Sequence, residues 1–310
     1  MKCLACISDG KVLKSNGIYQ HVSHIRKGDK LFNMYGKSVT VRNVQYTQGV
    51  VLPTIDIKHD CWFSTLQCTE GIEILTWDNT KKLPRWVQGD YFGEIEHQQT
   101  IILPTNLEWE LPLKLNGVLM PSNDDKNYPL GFLIGAYLRI GYQKQRGVIG
   151  FHCDTGKKAV EKYIVSYMSY LFGVEPKYRR GTFTIDVDFE CSALYEMFSE
   201  FTCKGVPSQY IYQNTDYIQG INDGLVFSGT NGYPTPENTN VFEVLYWSSL
   251  FLGKPLHFGQ LAHKYNNVSF LTGRANLHSY QRQKTDLWKI DVDCISGTFI
   301  VNNMVVRNVE

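Results

Sequence analysis

Leu130-Gly131-Phe132-Leu133-Ile134-Gly135-Ala136-Tyr137-Leu138-Arg139-Ile140-Gly141 and Gly220-Ile221-Asn222-Asp223-Gly224-Leu225-Val226-Phe227-Ser228-Gly229-Thr230 are the two stretches on which the fold turns. The first is apolar almost all round, which predicts a helix buried on every side. Gly131 and Gly135 stand four apart, as do Gly220 and Gly224, so each pair lies on one helix face and lets another helix approach closely. The four glycines are therefore read as helix-packing residues. A separation of about 90 residues is too long for a solenoid repeat and predicts two similar halves about a pseudo-twofold axis.

Around the first stretch the pattern is mixed. Lys157 to Phe172 places Val160, Ile164, Tyr167, Met168 and Leu171 at a helical period, with Gly173 as its stop. Arg179-Arg180-Gly181 reads as the turn of a hairpin between Glu175–Tyr178 and Thr182–Val187. After the second stretch, Phe242 to Leu252 reads as an amphipathic helix closed by Gly253. Both flanks of this region are β-like. Lys11–Leu13, Lys30–Phe32, Ser38–Val41, Gly49–Leu52, Ile72–Leu75 and Gln99–Leu103 are short segments separated by turn residues. Trp288–Cys294 and Gly297–Asn308 restore that character, the latter as a strand pair with an Asn turn. The polar run from Ser122 to Pro129 is the best boundary. The chain is thus expected to comprise residues 1–125 and 287–310 as one split β-rich domain, with residues 126–286 inserted.

At 310 residues, 43% hydrophobic and 20% charged, the chain can bury two cores. No run approaches the roughly 20 apolar residues that span a bilayer, so no membrane association is expected. The eight cysteines form no dense framework and predict an intracellular, reducing, cytoplasmic setting. Cys3, Cys6, Cys61 and Cys68 have too wide a second spacing for a zinc ribbon, and His257, His263 and His278 are too irregular for a metal site. No metal and no cofactor is expected. The net charge of +1 neither favours nor excludes a polyanion, because binding needs a basic face rather than a basic total.

The two glycine-bearing stretches resemble the paired LAGLIDADG helices of homing endonucleases, and the whole chain is similar to an intein carrying such an endonuclease. Cys6 stands where a Hint domain places its first nucleophile, and Ile25-Arg26-Lys27-Gly28-Asp29-Lys30-Leu31 resembles the segment that follows it. Cys68-Thr69-Glu70-Gly71-Ile72-Glu73-Ile74-Leu75 resembles the T-x-x-H block, with Ile72 at its histidine. Phe299 to Asn308 resembles the terminal H-N block, with Arg307 at its histidine and Val309 where the downstream nucleophile belongs. The implied fold is α+β: a split β-rich Hint-like domain with an inserted pseudo-twofold αββαββα LAGLIDADG-like domain.

The same resemblance implies lost chemistry. Family endonucleases hold divalent metals with one carboxylate from each helix end, and those ends read Ile140 and Gly229, which offer no side-chain oxygen. Splicing needs acid–base partners that each contribute about 10²- to 10⁴-fold, and only Cys6 and Asn308 remain as relics. The expectation is a non-enzyme that binds nucleic acid, either DNA or structured RNA, as a monomer with internal pseudo-symmetry. Lys144, Arg146, Lys177, Arg179 and Arg180 cluster on two predicted hairpins and are the expected phosphate contacts, with only Asp154 and Glu175 near them in sequence. Arg274, Arg282 and Lys284, in a stretch read as irregular, are the candidates of the second half. Two other classes stay open: a residual enzyme, either a metal-dependent endonuclease or self-cleavage at Cys6, and a protein-interaction module with a protein partner.

Overall fold

The computed structural model describes residues 5–60, 62, 64–94, 99–112, 124–144, 147–201, 206, 210–229, 239–254 and 259–308. The chain is a mixed α+β protein of two compact units, Met1–Glu110 with Pro255–Glu310, and Leu111–Lys254.

The first unit is built on one antiparallel network of thirteen strands among the described residues. Its spine is a pair of long strands, Ser38–His59 and Val268–Val292, whose register runs from His59 opposite Ala275 to Val41 opposite Val292. Alternation fails as a guide along parts of them, because residues 42–48, apart from the half-buried Val44, and 282–284 are exposed on both faces, while the ends enter the core. The core gathers Ile7, Leu31, Ile55, Ile57, Ile74, Ile101, Ile290, Phe299 and Val306, all nearly or fully buried. Thr298–Val301 and Met304–Arg307 form the expected strand pair, joined by Asn302 and Asn303 at φ of 45° and 59°. Asparagine tolerates this left-handed turn, whose tight two-residue form suits the twist of a hairpin.

The second unit realises the order αββαββα once, from Asn127 to Ser199. Helix Asn127–Ile140 leads directly into strand Gly141–Gln143, which pairs with Val148–Asp154. Helix Lys158–Phe172 buries Val160, Ile164 and Met168 and ends at Gly173 with φ of 64°. Strands Lys177–Arg180 and Thr184–Glu190 complete a four-stranded antiparallel sheet, followed by helix Ser192–Ser199. Helix Thr215–Ser228 then packs on Asn127–Ile140, and helix Thr239–Phe251 follows it.

Several expectations differ from this architecture. The units divide at 110/111 and 254/255 rather than at 125/126 and 286/287, because residues 259–292 form strands of the first unit's sheet. A second four-stranded sheet to match the first is absent among the described residues. The stretch holding Arg274, Arg282 and Lys284 is regular strand, held by the register with Ser38–His59. Arg179 and Arg180 lie in a strand, with the turn at Gly181, whose N–H donates to Thr184 O. Helix Thr239–Phe251 is buried on nearly all sides from Val241 to Leu250 instead of amphipathic.

Candidate functional site

Three places carry the residues that the sequence singles out. The first is the seam of the two glycine helices. A Cβ on Gly131 would stand 2.1 Å from Tyr217 O, one on Gly135 2.1 Å from Ile221 O, one on Gly220 2.3 Å from Tyr128 O and one on Gly224 2.2 Å from Phe132 O. Each glycine therefore faces the backbone of the opposite helix. Asp223 is consumed in the same seam, accepting from Tyr128 Oη at 2.8 Å and Gln219 Nε2 at 2.8 Å.

The helix ends beyond the seam carry cations. Arg139 Nη1 donates to Leu225 O at 2.9 Å, and its guanidinium lies against Gly229. Lys157 Nζ donates to the carbonyls of Phe227 and Gly229. Both groups sit where the carbonyls of a helix C-terminus concentrate negative potential, so the arrangement is electrostatically favourable. Burial lowers the Arg139 pKa somewhat. Among the described residues no group of three His, Cys, Asp or Glu side chains could hold a metal ion.

The second place is the open face of the four-stranded sheet. Thr184 to Glu190 alternates strictly, sending Ile185, Val187 and Phe189 one way and Asp186, Asp188 and Glu190 the other. Across the register, Lys177 is opposite Asp188 and Arg179 opposite Asp186, while His152 is opposite Asp186 on the other neighbour. The cations pair accordingly: Lys144 with Asp188, Lys177 with Glu190, and Arg179 with Asp186 through Nε at 2.9 Å and through Nη2. His152 Nδ1 lies 2.7 Å from Asp186 Oδ1, and Tyr142 stacks on His152 with ring centroids 4.1 Å apart. Gly150 makes that stack possible, since a Cβ there would meet Tyr142 Cζ at 2.3 Å. Burial opposes ionisation of Asp186, but hydrogen bonds from His152 and Arg179 outweigh it and hold the carboxyl below its ordinary range.

Three of the five cations expected to contact phosphate are therefore ion-paired. Three carboxylates that lie 7 to 44 residues away in sequence face Lys144, Lys177 and Arg179 directly. Arg180 points to the opposite face of its strand and is exposed. Arg146 lies outside the described residues. Arg274, Arg282 and Lys284 belong to the other unit and are exposed on their long strand.

The third place holds the residues at which the sequence resembles a Hint domain. Cys6 is buried, its N–H donates to Thr69 Oγ1 at 2.9 Å, and its carbonyl accepts from Thr69 N at 2.9 Å. Burial pushes the Cys6 thiol up, only partly offset by Lys289. Ile72 is fully buried. Arg307 pairs with Glu73 and lies 4.3 Å from the Trp86 ring centroid. Asn308 Nδ2 donates to Ile290 O at 2.5 Å, whereas its buried Oδ1 has no hydrogen-bond partner among the described residues. Ile7 pairs with Trp288, so Cys6 and Asn308 both reach the Trp288–Ile290 segment. Val309 lies outside the described residues.

Sequence reasoning missed the Tyr142–His152–Asp186 cluster and the surroundings of Trp288. Strict alternation in 184–190 was the available signal for the first; nothing local announces the second. The architecture defines a two-unit α+β protein with a large antiparallel sheet. No protein-family model matches the chain, and no curated protein matches it.

Proposed function

We propose that this chain is a repurposed intein and homing-endonuclease relative that binds nucleic acid, DNA or structured RNA, without cutting it. The observation that carries the reading is the pair of cations at the glycine-helix ends. Arg139 and Lys157 neutralise the carbonyls there, in a place where a metal-dependent nuclease needs carboxylate oxygens. A cation at that position repels Mg²⁺ and attracts phosphate. Arg180, Arg274, Arg282 and Lys284, which have no ion pair among the described residues, supply further phosphate contacts, whereas Lys144, Lys177 and Arg179 are neutralised by their carboxylates and contribute less.

The test is a gel-shift series on duplex DNA, single-stranded DNA and folded RNA, followed by a cleavage gel with Mg²⁺ or Mn²⁺. Retarded, intact nucleic acid supports the reading, and metal-dependent fragments contradict it. A protein partner is the second reading, favoured by the charge-neutral open face of the four-stranded sheet; capture of a protein at high salt, with no nucleic-acid retention, selects it.

A further inference from the structure

The two long strands of the first unit shift register at three places, one of them between Thr285 and Leu287. Thr285 is opposite Val50 and Leu287 opposite Thr47, so Gln48 and Gly49 face the single Asp286. Extra residues of this kind re-aim side chains out of the pleat and are frequent beside sites. Gly49 is favoured there by its backbone conformation, and the flexible Lys284 side chain lies along it. The glycine's φ is 62°, and a Cβ would stand 2.6 Å from Lys284 Cε.

The surroundings are well held. Asp286 accepts from Gly49 N at 2.8 Å and from Tyr46 Oη at 2.9 Å. The Tyr46 ring leans on Trp288 with centroids 5.4 Å apart, and Ser8 Oγ lies 2.5 Å from Thr285 Oγ1. These groups other than Tyr46, with Gln48 and Lys284, line an open, mostly polar recess of about 650 Å³. The Lys284 ammonium is exposed and has no ion pair among the described residues.

The recess combines a half-buried indole, a fixed carboxylate acceptor, two hydroxyls, an amide and an ammonium with no ion pair among the described residues. A nucleoside phosphate presents the complementary set: a flat ring, N–H donors and an anion. Arg282 shares the face of Lys284, since the two are opposite Pro53 and Val51, and offers a second cation about 7 Å along the strand. That row suits consecutive phosphates rather than a free nucleotide. A base paired and stacked in a duplex cannot enter a recess to reach the indole.

We propose that the recess holds one unpaired nucleotide of a single-stranded nucleic acid, its base against Trp288, its N–H groups toward Asp286 and its phosphate on Lys284. This assignment rests on the nucleic-acid reading above and adds the partner's form and its place. Stacking of one base contributes about 1–3 kcal/mol in comparable sites.

The test uses the full chain, with anisotropy against a labelled oligo-uridine 12-mer, an oligo-thymidine 12-mer and a duplex of the same length, and with uridine monophosphate as competitor. The expected result is preference for the single strands, weak competition by the mononucleotide, and a salt slope reduced by about 0.7 in Lys284→Gln, the loss of one phosphate contact. Ultraviolet crosslinking of the uridine 12-mer is expected to label the peptide containing Trp288. Binding that is unchanged in Lys284→Gln, with adducts elsewhere, overturns the recess assignment and leaves the general reading intact. Equal binding of duplex, or full competition by the mononucleotide, also overturns it. Retention of no nucleic acid at low salt overturns both.

Discussion

The Arg139 guanidinium lies so close against Gly229 that a Cβ on the glycine would stand 1.8 Å from Cζ. A side chain at residue 229 and the seated arginine are therefore mutually exclusive. Gly229→Ala is expected to expel the guanidinium and break its bond to Leu225 O, costing about 1 kcal/mol because a flexible side chain yields cheaply. Urea denaturation checks it. Gly229→Asp is expected to restore no Mg²⁺-dependent nicking of plasmid, since Ile140 still supplies no oxygen.

The four seam glycines behave differently, because each abuts backbone that cannot swing aside. Gly135→Ala or Gly224→Ala must push the helices apart, at about 1–3 kcal/mol or more each. Thermal melts should show both variants far less stable than Gly229→Ala. Equal melting temperatures for all three would contradict the packing account.

His59 is buried, its Nε2 lies 2.5 Å from Asn302 O, and desolvation lowers its pKa to about 4. The folded value lies below the ordinary 6.5, so folding favours the neutral ring. The contribution to stability is complete above about pH 6.5 and is lost as pH falls toward 4, on the order of 3 kcal/mol. Melting temperature should drop over that window, and His59→Asn should flatten the dependence while lowering stability near neutrality.

Cys6 is predicted to be a sluggish nucleophile. Burial raises its thiol pKa, so at pH 8 its thiolate fraction is below that of an ordinary cysteine. Iodoacetamide labelling read by mass spectrometry should leave Cys6 unmodified long after the more exposed Cys294, and no loss of residues 1–5 should accompany incubation. Rapid Cys6 labelling or a truncated mass would support a surviving self-cleavage activity.

Much of the helical part was legible in advance. The Gly131/Gly135 and Gly220/Gly224 spacings carry the close approach by themselves, and Val160, Ile164 and Met168 with Gly173 define a helix and its end. The Asn302-Asn303 turn was equally local. What escaped was long-range pairing. Residues 273–282 alternate in burial, but their less exposed positions are Gly273, Ala275, Leu277, Ser279 and Gln281, mostly small or polar, so the sequence shows little of the alternation and the register with residues 41–59 is what identifies the strand. For the same reason the carboxylates that neutralise Lys144, Lys177 and Arg179 are invisible along the chain: cross-strand neighbours are set by register, not by sequence proximity.

That neutralisation yields a directional expectation. Asp186→Asn and Asp188→Asn release Arg179 and Lys144 from their partners, so both variants should bind nucleic acid more tightly than the unaltered chain and with a steeper salt dependence. Loss of affinity in both would mean that the carboxylates hold the cations in their binding geometry.

The most direct measurement of the central claim is anisotropy of the unaltered protein with labelled DNA and RNA from low to moderate salt, with and without Mg²⁺, each sample then run on a denaturing gel. The logarithm of the binding constant is expected to fall linearly with log salt, with no strengthening by Mg²⁺ and every strand intact. Absence of binding at low salt, or strand scission that depends on the metal, would contradict the claim.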